Sequence, residues 1–227
     1  MKTAIIFGST GLIGSQLLNI LLQDDEYSTI KVVVRSSIPV NYTKLEVIVN
    51  DLTDISTLEK NISGDSCFFC IGTTKSQTPN KNEYRRIEYD IPVQIASIAK
   101  KNNVNCFLYI SSLGSNPNTN NTYLKNKGEV EENLKDLNFK QLSIVKPSIL
   151  LGKRSKFRMG EFLSQRVFVF LSFLFVGPLK KFKPINSKQV AKAMAFISKN
   201  GNSQIIYESD VLQKFLIRTF YNKKIAY

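Results

Sequence analysis

The sequence predicts an α/β fold, a doubly wound parallel sheet with a small C-terminal extension, and two observations lead to that prediction. Strand-like apolar runs alternate with helical patterns through the first 150 residues. The runs are continuously apolar, which is typical of parallel strands whose two faces are both covered by helices. The length of 227 residues suits one domain. We therefore expect a single domain, with residues 1–150 as its core and 151–227 as a dependent extension.

The predicted elements follow one another in a regular order. The strands are TAIIF (3–7), IKVVVR (30–35), LEVIVND (45–51), SCFFCIG (66–72), NCFLYISS (105–112) and QLSIVKP (141–147). Apolar residues at helical spacing predict helices at 12–23, 87–103, about 122–136 and 187–199. The segment ISTLEKNI (55–62) is a weaker helical candidate, and Ser187 is placed to cap the last helix.

The amino-acid composition excludes several kinds of chemistry. The chain contains no histidine, so Ser-His-Asp hydrolases, Cys-His proteases and the common histidine-containing zinc sites are excluded. Any proton transfer has to use Tyr, Lys, Asp, Glu or Cys. The net charge of +13 favours anionic partners in general, but no nucleic-acid-binding motif accompanies it. Nucleic-acid binding is therefore not expected as the main function.

The three cysteines, of which Cys106 stands apart from the other two, give no disulfide framework. Cys67 and Cys70 are spaced as C-x-x-C, but SCFFCIG is typical of a buried strand. Residues i and i+3 of a strand point to opposite faces, so these two sulfurs are predicted to lie apart. We expect them to be buried core residues rather than a redox or metal site.

Two segments bear on location and partners. The residues after Met1 run straight into glycines and a helical pattern rather than a signal peptide, so a cytoplasmic protein is expected. RVFVFLSFLFVGPL (166–179) is very apolar but shorter than the roughly 18–20 residues of a membrane-spanning helix. A buried helix, or one that docks on a second copy or another protein, is predicted. Contact with a membrane surface is the alternative, because basic residues flank the segment.

The glycine loop FGSTGLIG (7–14) lies between the first strand and the first helix. In that position a backbone approaches a pyrophosphate, and the helix N-terminus supplies free N–H groups and a positive dipole end. Gly8 is expected to make the turn, Gly11 to admit the phosphate, and Gly14 to let the helix pack on the sheet. The loop lacks the Gly-Lys-Ser/Thr ending of a P-loop. A dinucleotide-binding Rossmann core is therefore predicted.

The end of the second strand indicates which dinucleotide binds. NAD-binding proteins usually carry an acidic residue about 20 residues past the loop, whereas here the strand ends in Arg35. A guanidinium clamps a 2′-phosphate that a carboxylate would repel, so NADP(H) is predicted over NAD. Asp51, after the third strand, is placed to accept a hydrogen bond from the adenine amino group, although a turn is the alternative for it.

The candidate catalytic residues are Ser112, Tyr123 and Lys127. Tyr123 and Lys127 are four positions apart, so they share one face of the helix predicted over 122–136. A free phenol titrates near pH ~10, and a nearby ammonium stabilises the phenolate, which allows proton transfer without histidine. Ser112 ends the neighbouring strand, where its hydroxyl would orient a carbonyl or an alcohol, and Ser111 is the close alternative. Doubly wound sheets bind ligands at this edge.

Four stretches share one family pattern: the loop GSTGLIG, the strand end CIGTT, the block YISSLGSNPNTNNTYLKNKGEVEENL and the turn VKPSILLGKR. Together they resemble the short-chain dehydrogenase/reductase superfamily. More narrowly, they resemble its atypical NAD(P)H-binding branch, which includes the Tat-interacting oxidoreductase-like proteins. The resemblance runs from Lys2 to about residue 160 and continues loosely through 187–199. Where the family often has Arg-Pro-Gly or Arg-Pro-Ser, this chain has Lys146-Pro147-Ser148.

The resemblance implies a role for each matching residue. Ser112 and Tyr123 would hydrogen-bond the substrate oxygen, and Tyr123 would give or take the proton. Lys127 would bind the nicotinamide ribose, and the turn at 147–149 would line the nicotinamide. The implied cofactor contacts are Gly8, Ser9, Thr10, Gly11, Leu12, Ile13, Gly14, Arg35, Asp51, Leu52, Ile71, Gly72, Thr73, Tyr123, Lys127, Pro147, Ser148 and Ile149.

Two functions fit these observations. An NADP-dependent oxidoreductase would transfer a hydride between nicotinamide and a small carbonyl or alcohol substrate, and the intact Ser/Tyr/Lys set favours it. A non-catalytic NAD(P)H-binding module, regulatory or redox-sensing, would act through a protein partner, and the short C-terminal region favours that version. Members of the resembling branch vary in activity, and residues 150–186 match no pattern that identifies a substrate.

Overall fold

The computed structural model describes residues 1–39, 42–152, 177–201 and 205–215. The strands over these ranges are β1 (Lys2–Phe7), β2 (Tyr27–Val34), β3 (Leu45–Val49), β4 (Ser66–Phe69), β5 (Cys106–Ile110), β6 (Gln141–Lys146), β7 (Leu150–Leu151), β8 (Ile185–Asn186) and β9 (Ile206–Glu208). Seven of them form one sheet in the order β3-β2-β1-β4-β5-β6-β9, and β7 pairs with β8. Every pairing is parallel.

The helices connect the strands as crossovers. They are α1 (Gly14–Leu22), α2 (Lys81–Arg85), α3 (Ile91–Lys101), α4 (Thr122–Asp136) and α5 (Ser187–Asn200). A π-helical turn, Arg86–Asp90, joins α2 to α3 without a break. Residues 209–215 are helical as well. The predicted doubly wound parallel sheet is confirmed.

The strand order reverses between β1 and β4. β1 pairs with β2 on one side and with β4 on the other, so the chain leaves the middle of the sheet in opposite directions. The connections after β1 and β4 therefore part from each other and open a crevice at the carboxyl ends of these strands. This crevice is where the structure can hold a ligand.

Both faces of the sheet are buried, which explains the continuously apolar strands. Ile6 of β1 belongs to a core shared with Leu17 of α1 and Met194 of α5. The next residue back, Ile5, belongs to the opposite core, which includes Ile95 of α3. Successive side chains of a strand point to opposite faces, so every position of β1 from Ala4 to Phe7 has to be apolar.

The two cysteines of the C-x-x-C lie on opposite faces of the sheet, as predicted. Cys67 is fully buried in the core shared with α3, whereas Cys70 packs against the core shared with α1 and α5. Cys67, Cys70 and Cys106 are all free thiols. Burial raises the pKa of Cys70 and Cys106 to about 12, so both sulfurs stay protonated and unreactive at neutral pH.

Three sequence-based predictions about helices need correction. ISTLEKNI forms only a four-residue 3-10 turn, Ile55–Leu58, capped by the Asp54 carboxylate. The helix expected to begin at residue 87 belongs to a longer run that starts at Lys81. The last helix is capped by Asn186 and not by Ser187. Asn186 accepts a hydrogen bond from the Lys188 N–H at 2.8 Å, and Gln189 accepts in return from the Asn186 N–H at 3.2 Å.

The apolar segment 166–179 lies largely outside the described residues. Its last three positions fall in a 3-10 turn, Gly177–Phe182. Among the residues that the structure describes, no helix is both long enough and apolar enough to cross a membrane. The predicted docking role of the segment therefore stays a prediction.

Replacing Asn186 with alanine is expected to lower the free energy of unfolding by about 1 kcal/mol, because the first turn of α5 loses the acceptor for its N–H groups. Chemical denaturation followed by circular dichroism measures this change. Asn186→Asp keeps the acceptor and is the control, with stability expected close to that of the original chain. Unchanged stability in Asn186→Ala would contradict the assigned cap.

Candidate functional site

A pocket of about 1200 Å³ lies over the carboxyl ends of the central strands. Its walls come from the segments that follow β1, β2, β4, β5 and β6, and from α4. The predicted site residues that line it are Thr10, Gly11, Leu12, Ile13, Arg35, Ile71, Gly72, Thr73, Ser112, Tyr123, Lys127, Pro147, Ser148 and Ile149. The fold therefore brings together residues from both ends of the predicted site, as the strand order requires.

The glycine loop packs so closely that side chains have no room. Gly8 has φ +82°, a conformation that glycine adopts without strain. A Cβ on Gly14 would stand 2.1 Å from the Gly8 carbonyl oxygen, and one on Gly8 would stand 2.9 Å from the Cys70 backbone. Gly11 donates its N–H to the Gly8 carbonyl at 3.0 Å. The start of α1 thus lies directly against the end of β1, with its backbone at the pocket.

The amino end of α1 is suited to an anion. Ile13 at its N-cap makes no side-chain capping hydrogen bond, although the Ser15 N–H donates to the Gly11 carbonyl at 3.0 Å. The first turn therefore has no side-chain acceptor, and its positive dipole end faces the loop. Thr10, Gly11 and Leu12 present the loop to the pocket. Ser9 is buried and does not line the pocket. The backbone of the loop rather than the Ser9 hydroxyl fits a pyrophosphate.

Arg35 and Ser36 form the far end of the pocket, where β2 ends. Both side chains are exposed. A guanidinium beside a hydroxyl at this place is a donor set that fits a phosphate oxygen.

Asp51 and Leu52 lie after β3 and do not line the pocket. The Asp51 carboxylate accepts a hydrogen bond from the Thr53 N–H at 2.8 Å, which is the arrangement of an Asx turn. The Leu52 side chain is buried, and its carbonyl accepts from Arg86 at 2.8 Å. The contacts present here are those of a turn, and a cofactor role for these two residues stays a prediction.

Helix α4 presents Tyr123 and Lys127 to the pocket together. The helix begins where it does because Asn121 caps it, accepting from the Tyr123 N–H at 3.0 Å and the Leu124 N–H at 3.2 Å. The Lys127 ammonium lies 5.9 Å from the centre of the Tyr123 ring. It also donates to the Ile110 carbonyl at 3.2 Å. The two side chains therefore lie on the same face of α4, as predicted.

Lys127 has a buried counter-ion that the sequence analysis missed. Its ammonium lies 3.1 Å from the carboxylate of Glu88, and the two side chains are 4% and 0% exposed. Burial alone would lower the pKa of Lys127, but the negative charge of Glu88, together with the nearby Tyr109 and Tyr123, more than offsets it, so the pKa of Lys127 lies well above its usual value. The other Glu88 oxygen accepts from the Thr73 N–H at 2.5 Å. Glu88 thus connects Lys127 to the segment that follows β4.

The two candidate serines have different surroundings. Ser111 is buried and donates its hydroxyl to the Glu131 carboxylate. Ser112 is half-buried and lines the pocket, and its hydroxyl makes only a long contact, 3.5 Å, to the Leu113 carbonyl. Ser111 lines the pocket as well, but its hydroxyl is already donated to Glu131, whereas the Ser112 hydroxyl makes no short hydrogen bond within the described residues.

A second buried ion pair lies at the start of the Lys146-Pro147-Ser148 turn. Lys146 lies 2.7 Å from the Glu131 carboxylate, and both side chains are largely buried. Glu131 also accepts from Ser115 and Ser111. The lysine takes the place of an arginine at this turn and still anchors the start of Pro147-Ser148 to α4. The sequence gives little sign that Glu88 and Glu131 are buried, because both stand among other charged residues.

The pocket contains a second phenol, Tyr84 of α2. Its side chain is 4% exposed, and burial, followed by the nearby Glu88 charge, raises its pKa to about 12. Tyr84 therefore remains a neutral phenol at physiological pH. Among the described residues, no three Cys, Asp or Glu side chains gather as a metal site.

The sequence matches the family model described as NAD(P)H-binding over residues 8–161. The chain belongs to this family. It is 30% identical over 209 residues to the protein FMP52, mitochondrial, of Debaryomyces hansenii, which covers 89% of this chain and 90% of the relative. It is 35% identical over 158 residues to FMP52-2, mitochondrial, of Scheffersomyces stipitis, covering 68% and 69%. The predicted resemblance to an NAD(P)H-binding branch is confirmed.

Solved structures share the fold. The WbmH enzyme of Bordetella bronchiseptica, in complex with NAD+, superposes with a TM-score of 0.68 at 17% identity, over 92% of this chain and 76% of that one. A UDP-glucose 4-epimerase of Thermotoga maritima, with UDP-glucose, gives a TM-score of 0.67 at 14% identity, over 91% and 76%. At this identity the likeness concerns the Rossmann-type fold.

The comparison with relatives corrects one prediction. A cytoplasmic protein was expected because the residues after Met1 do not read as a signal peptide. FMP52 proteins from several yeasts are named as mitochondrial, so that expectation is wrong. The physical reason is that the residues after Met1 are determined by their place in β1 and the glycine loop, so they carry no information on the compartment of the folded protein.

Gly14→Ala is expected to lower the free energy of unfolding by about 2 kcal/mol or more, because its methyl group would overlap the Gly8 carbonyl and force the backbone apart. Urea denaturation measures the loss. Gly72→Ala is the matched control: its Cβ would stand 3.4 Å from a Glu88 oxygen and meets no backbone, so a change below about 1 kcal/mol is expected. Equal losses in the two variants would contradict the tight packing of α1.

Proposed function

We propose that this protein is an NADP(H)-dependent oxidoreductase that reduces a small carbonyl substrate or oxidises the corresponding alcohol, with Tyr123 as the acid or base. The observation that carries the proposal is the convergence of Ser112, Tyr123 and Lys127 on the same pocket as the glycine loop. A hydroxyl, a phenol and an ammonium at one end of a dinucleotide-sized cavity form a proton-transfer set that needs no histidine. The relatives' names support a mitochondrial location for it.

The donor set of the pocket fits NADPH. The tight glycine loop and the uncapped first turn of α1 would hold the pyrophosphate. Arg35 and Ser36 would hold the 2′-phosphate. Lys127 would hydrogen-bond the nicotinamide ribose, and the turn at Pro147 would line the nicotinamide. When bound, the nicotinamide supplies or accepts the hydride.

The side chains of the chain would handle the proton and the orientation of the substrate. Ser112 would hydrogen-bond the substrate oxygen and fix its direction. In the reduction, the Tyr123 hydroxyl would donate its proton to that oxygen as the carbonyl becomes an alcohol, and solvent would return a proton to the phenolate. The Lys127 ammonium, held at the pocket wall by Glu88, would stabilise the phenolate in the meantime.

NADPH is expected to bind at least about tenfold more tightly than NADH, because a bidentate contact between a guanidinium and a phosphate contributes about 1.5–3 kcal/mol. Titration followed by nicotinamide fluorescence, at constant ionic strength, measures both dissociation constants. Arg35→Ala is expected to remove most of the preference while leaving NADH binding unchanged. Arg35→Lys keeps the charge without the fork and should lie between the two. Equal affinities for NADPH and NADH in the original chain would contradict the role of Arg35.

Tyr123→Phe is expected to lower turnover of a panel of aldehydes and ketones with NADPH by about 100-fold or more, since a positioned acid contributes about that much. NADPH affinity should change by less than about threefold, because the phenol is not needed to hold the dinucleotide. Tyr89→Phe is the matched control, since Tyr89 does not line the pocket. Unchanged turnover in Tyr123→Phe would exclude this tyrosine as the acid. NADPH binding without turnover of any substrate would favour the non-catalytic, redox-sensing module.

A further inference from the structure

Glu88 is a buried carboxylate at the floor of the pocket, and its side chain is 0% exposed. It lies in the π-helical turn Arg86–Asp90, which rotates it inward from a run of charged residues. π-helical turns of this kind are frequent at functional sites. One oxygen accepts from the Thr73 N–H at 2.5 Å and the other lies 3.1 Å from the Lys127 ammonium. Both oxygens of the carboxylate are therefore engaged at the pocket.

The groups that face Lys127 come from every element packed around it. They are Glu88 of the π-helical turn, Tyr84 of α2, Tyr109 of β5, Tyr123 of α4 and Cys70 after β4. Burial raises the pKa of Tyr84 and Cys70 to about 12 and raises that of Tyr109 as well, so these three carry no charge at neutral pH. Within the described residues, Glu88 is the single carboxylate against Lys127.

We propose that Glu88 is a positioning residue that keeps Lys127 protonated and fixed at the pocket wall, so that NADPH affinity does not change between neutral and alkaline pH. The inference rests on the proposed function only for the identity of the ligand. Two fixed contacts, to Glu88 and to the Ile110 carbonyl at 3.2 Å, hold the ammonium where it lines the cavity. A methyl group on Gly72 would stand 4.0 Å from it, so the ammonium lies close beneath the surface that the dinucleotide would cover.

Without the negative charge of Glu88, burial would act on Lys127 with no facing carboxylate to offset it. Burial disfavours the charged form of an amine and lowers its pKa, by up to about 3–5 units when the group is fully enclosed. Lys127 is 3% exposed. In Glu88→Gln the amine would therefore lose its proton as the pH rises from neutral to alkaline values, and with it the charged hydrogen bond to the ribose. Ligand affinity would then fall as the pH rises.

The chain offers a matched control in Glu131. It is buried like Glu88, and it pairs with a largely buried lysine, Lys146, at 2.7 Å. Lys146 does not line the pocket. Glu131→Gln therefore leaves a buried lysine without its counter-ion, as Glu88→Gln does, but this lysine is not at the pocket surface. Because Glu131 also anchors the turn at Pro147, the control compares only the ratio of dissociation constants between two pH values, not the affinity itself. A general consequence of unpairing a buried lysine would appear in both variants, whereas the proposed role of Glu88 would appear in one.

NADPH dissociation constants are measured by nicotinamide fluorescence at about pH 7 and about pH 9.5, where the ligand phosphates, with a second pKa of about 6, are fully ionised. For the original chain and Glu131→Gln, the ratio between the two constants is expected to stay within about twofold. For Glu88→Gln, binding is expected to weaken about tenfold or more at the higher pH, which corresponds to a lost charged hydrogen bond. A ratio in Glu88→Gln equal to that of the original chain, or the same large ratio in Glu131→Gln, overturns the proposal.

A measurement without ligand separates this inference from the proposed function. With lysines labelled by ¹³C at Cε, the Lys127 resonance is assigned as the one missing from the double variant Glu88→Gln/Lys127→Met. In the original chain it is expected to stay in its protonated position up to about pH 9.5, and in Glu88→Gln it is expected to titrate below that pH. A protonated Lys127 throughout in Glu88→Gln overturns the proposal, whether or not NADPH binds. Absence of NADPH binding in the original chain would instead overturn the proposed function.

The double variant also decides the case in which Glu88→Gln does not fold. Removing both partners of a buried pair leaves no uncompensated charge, whereas removing one does. If Glu88→Gln/Lys127→Met folds where Glu88→Gln does not, the result supports the conclusion that Glu88 compensates the charge of Lys127. A double variant that is unfolded like the single one would overturn that assignment.

Discussion

The buried ion pair between Lys127 and Glu88 is the interaction on which the pocket depends. An isolated buried charge costs several kcal/mol, and a pair is tolerated only when its remaining donors and acceptors are satisfied. Here one Glu88 oxygen accepts from the Thr73 N–H and the Lys127 ammonium donates to the Ile110 carbonyl, while the other Glu88 oxygen meets Lys127 through the ion pair. The pair thereby joins the segment after β4, the end of β5 and helix α4 at one point. Loss of either partner would release three walls of the pocket at once.

The two ends of the pocket are built by different physical means. At the end of β1, close contact between backbones shapes the pocket, because Gly14 lies so near the Gly8 carbonyl that no Cβ fits. At the ends of β5 and β6, buried charges shape the pocket, and Glu131 links Lys146 to Ser111. Backbone contacts leave N–H groups facing an anion, whereas ion pairs leave a charged and orientable side chain. Under the proposed function, the first would hold the pyrophosphate of the dinucleotide and the second its nicotinamide ribose.

Much of the fold is readable from the sequence, because its causes are local. The apolar strands read as continuous runs since both sheet faces are covered, and helix α4 occupies the range expected for it, Thr122–Asp136. One prediction that failed was a choice between two neighbouring capping residues. Asn186 caps α5 in place of Ser187 because its side chain, and not that of the serine, lies beside the Lys188 N–H. Only the course of the chain before the helix fixes that geometry.

The sequence by itself determined the parallel sheet, the glycine loop and the shared helical face of Tyr123 and Lys127, because periodicity and short spacing encode each of them. The tertiary structure alone decided which acidic residues are buried. Glu88 stands in RRIEYD and Glu131 in GEVEENL, and in the sequence each looks like one charged residue of an exposed helix. Their burial depends on a π-helical turn and on strand ends that meet far along the chain. Contacts between distant segments, rather than residue type, turned those two carboxylates into the anchors of the pocket.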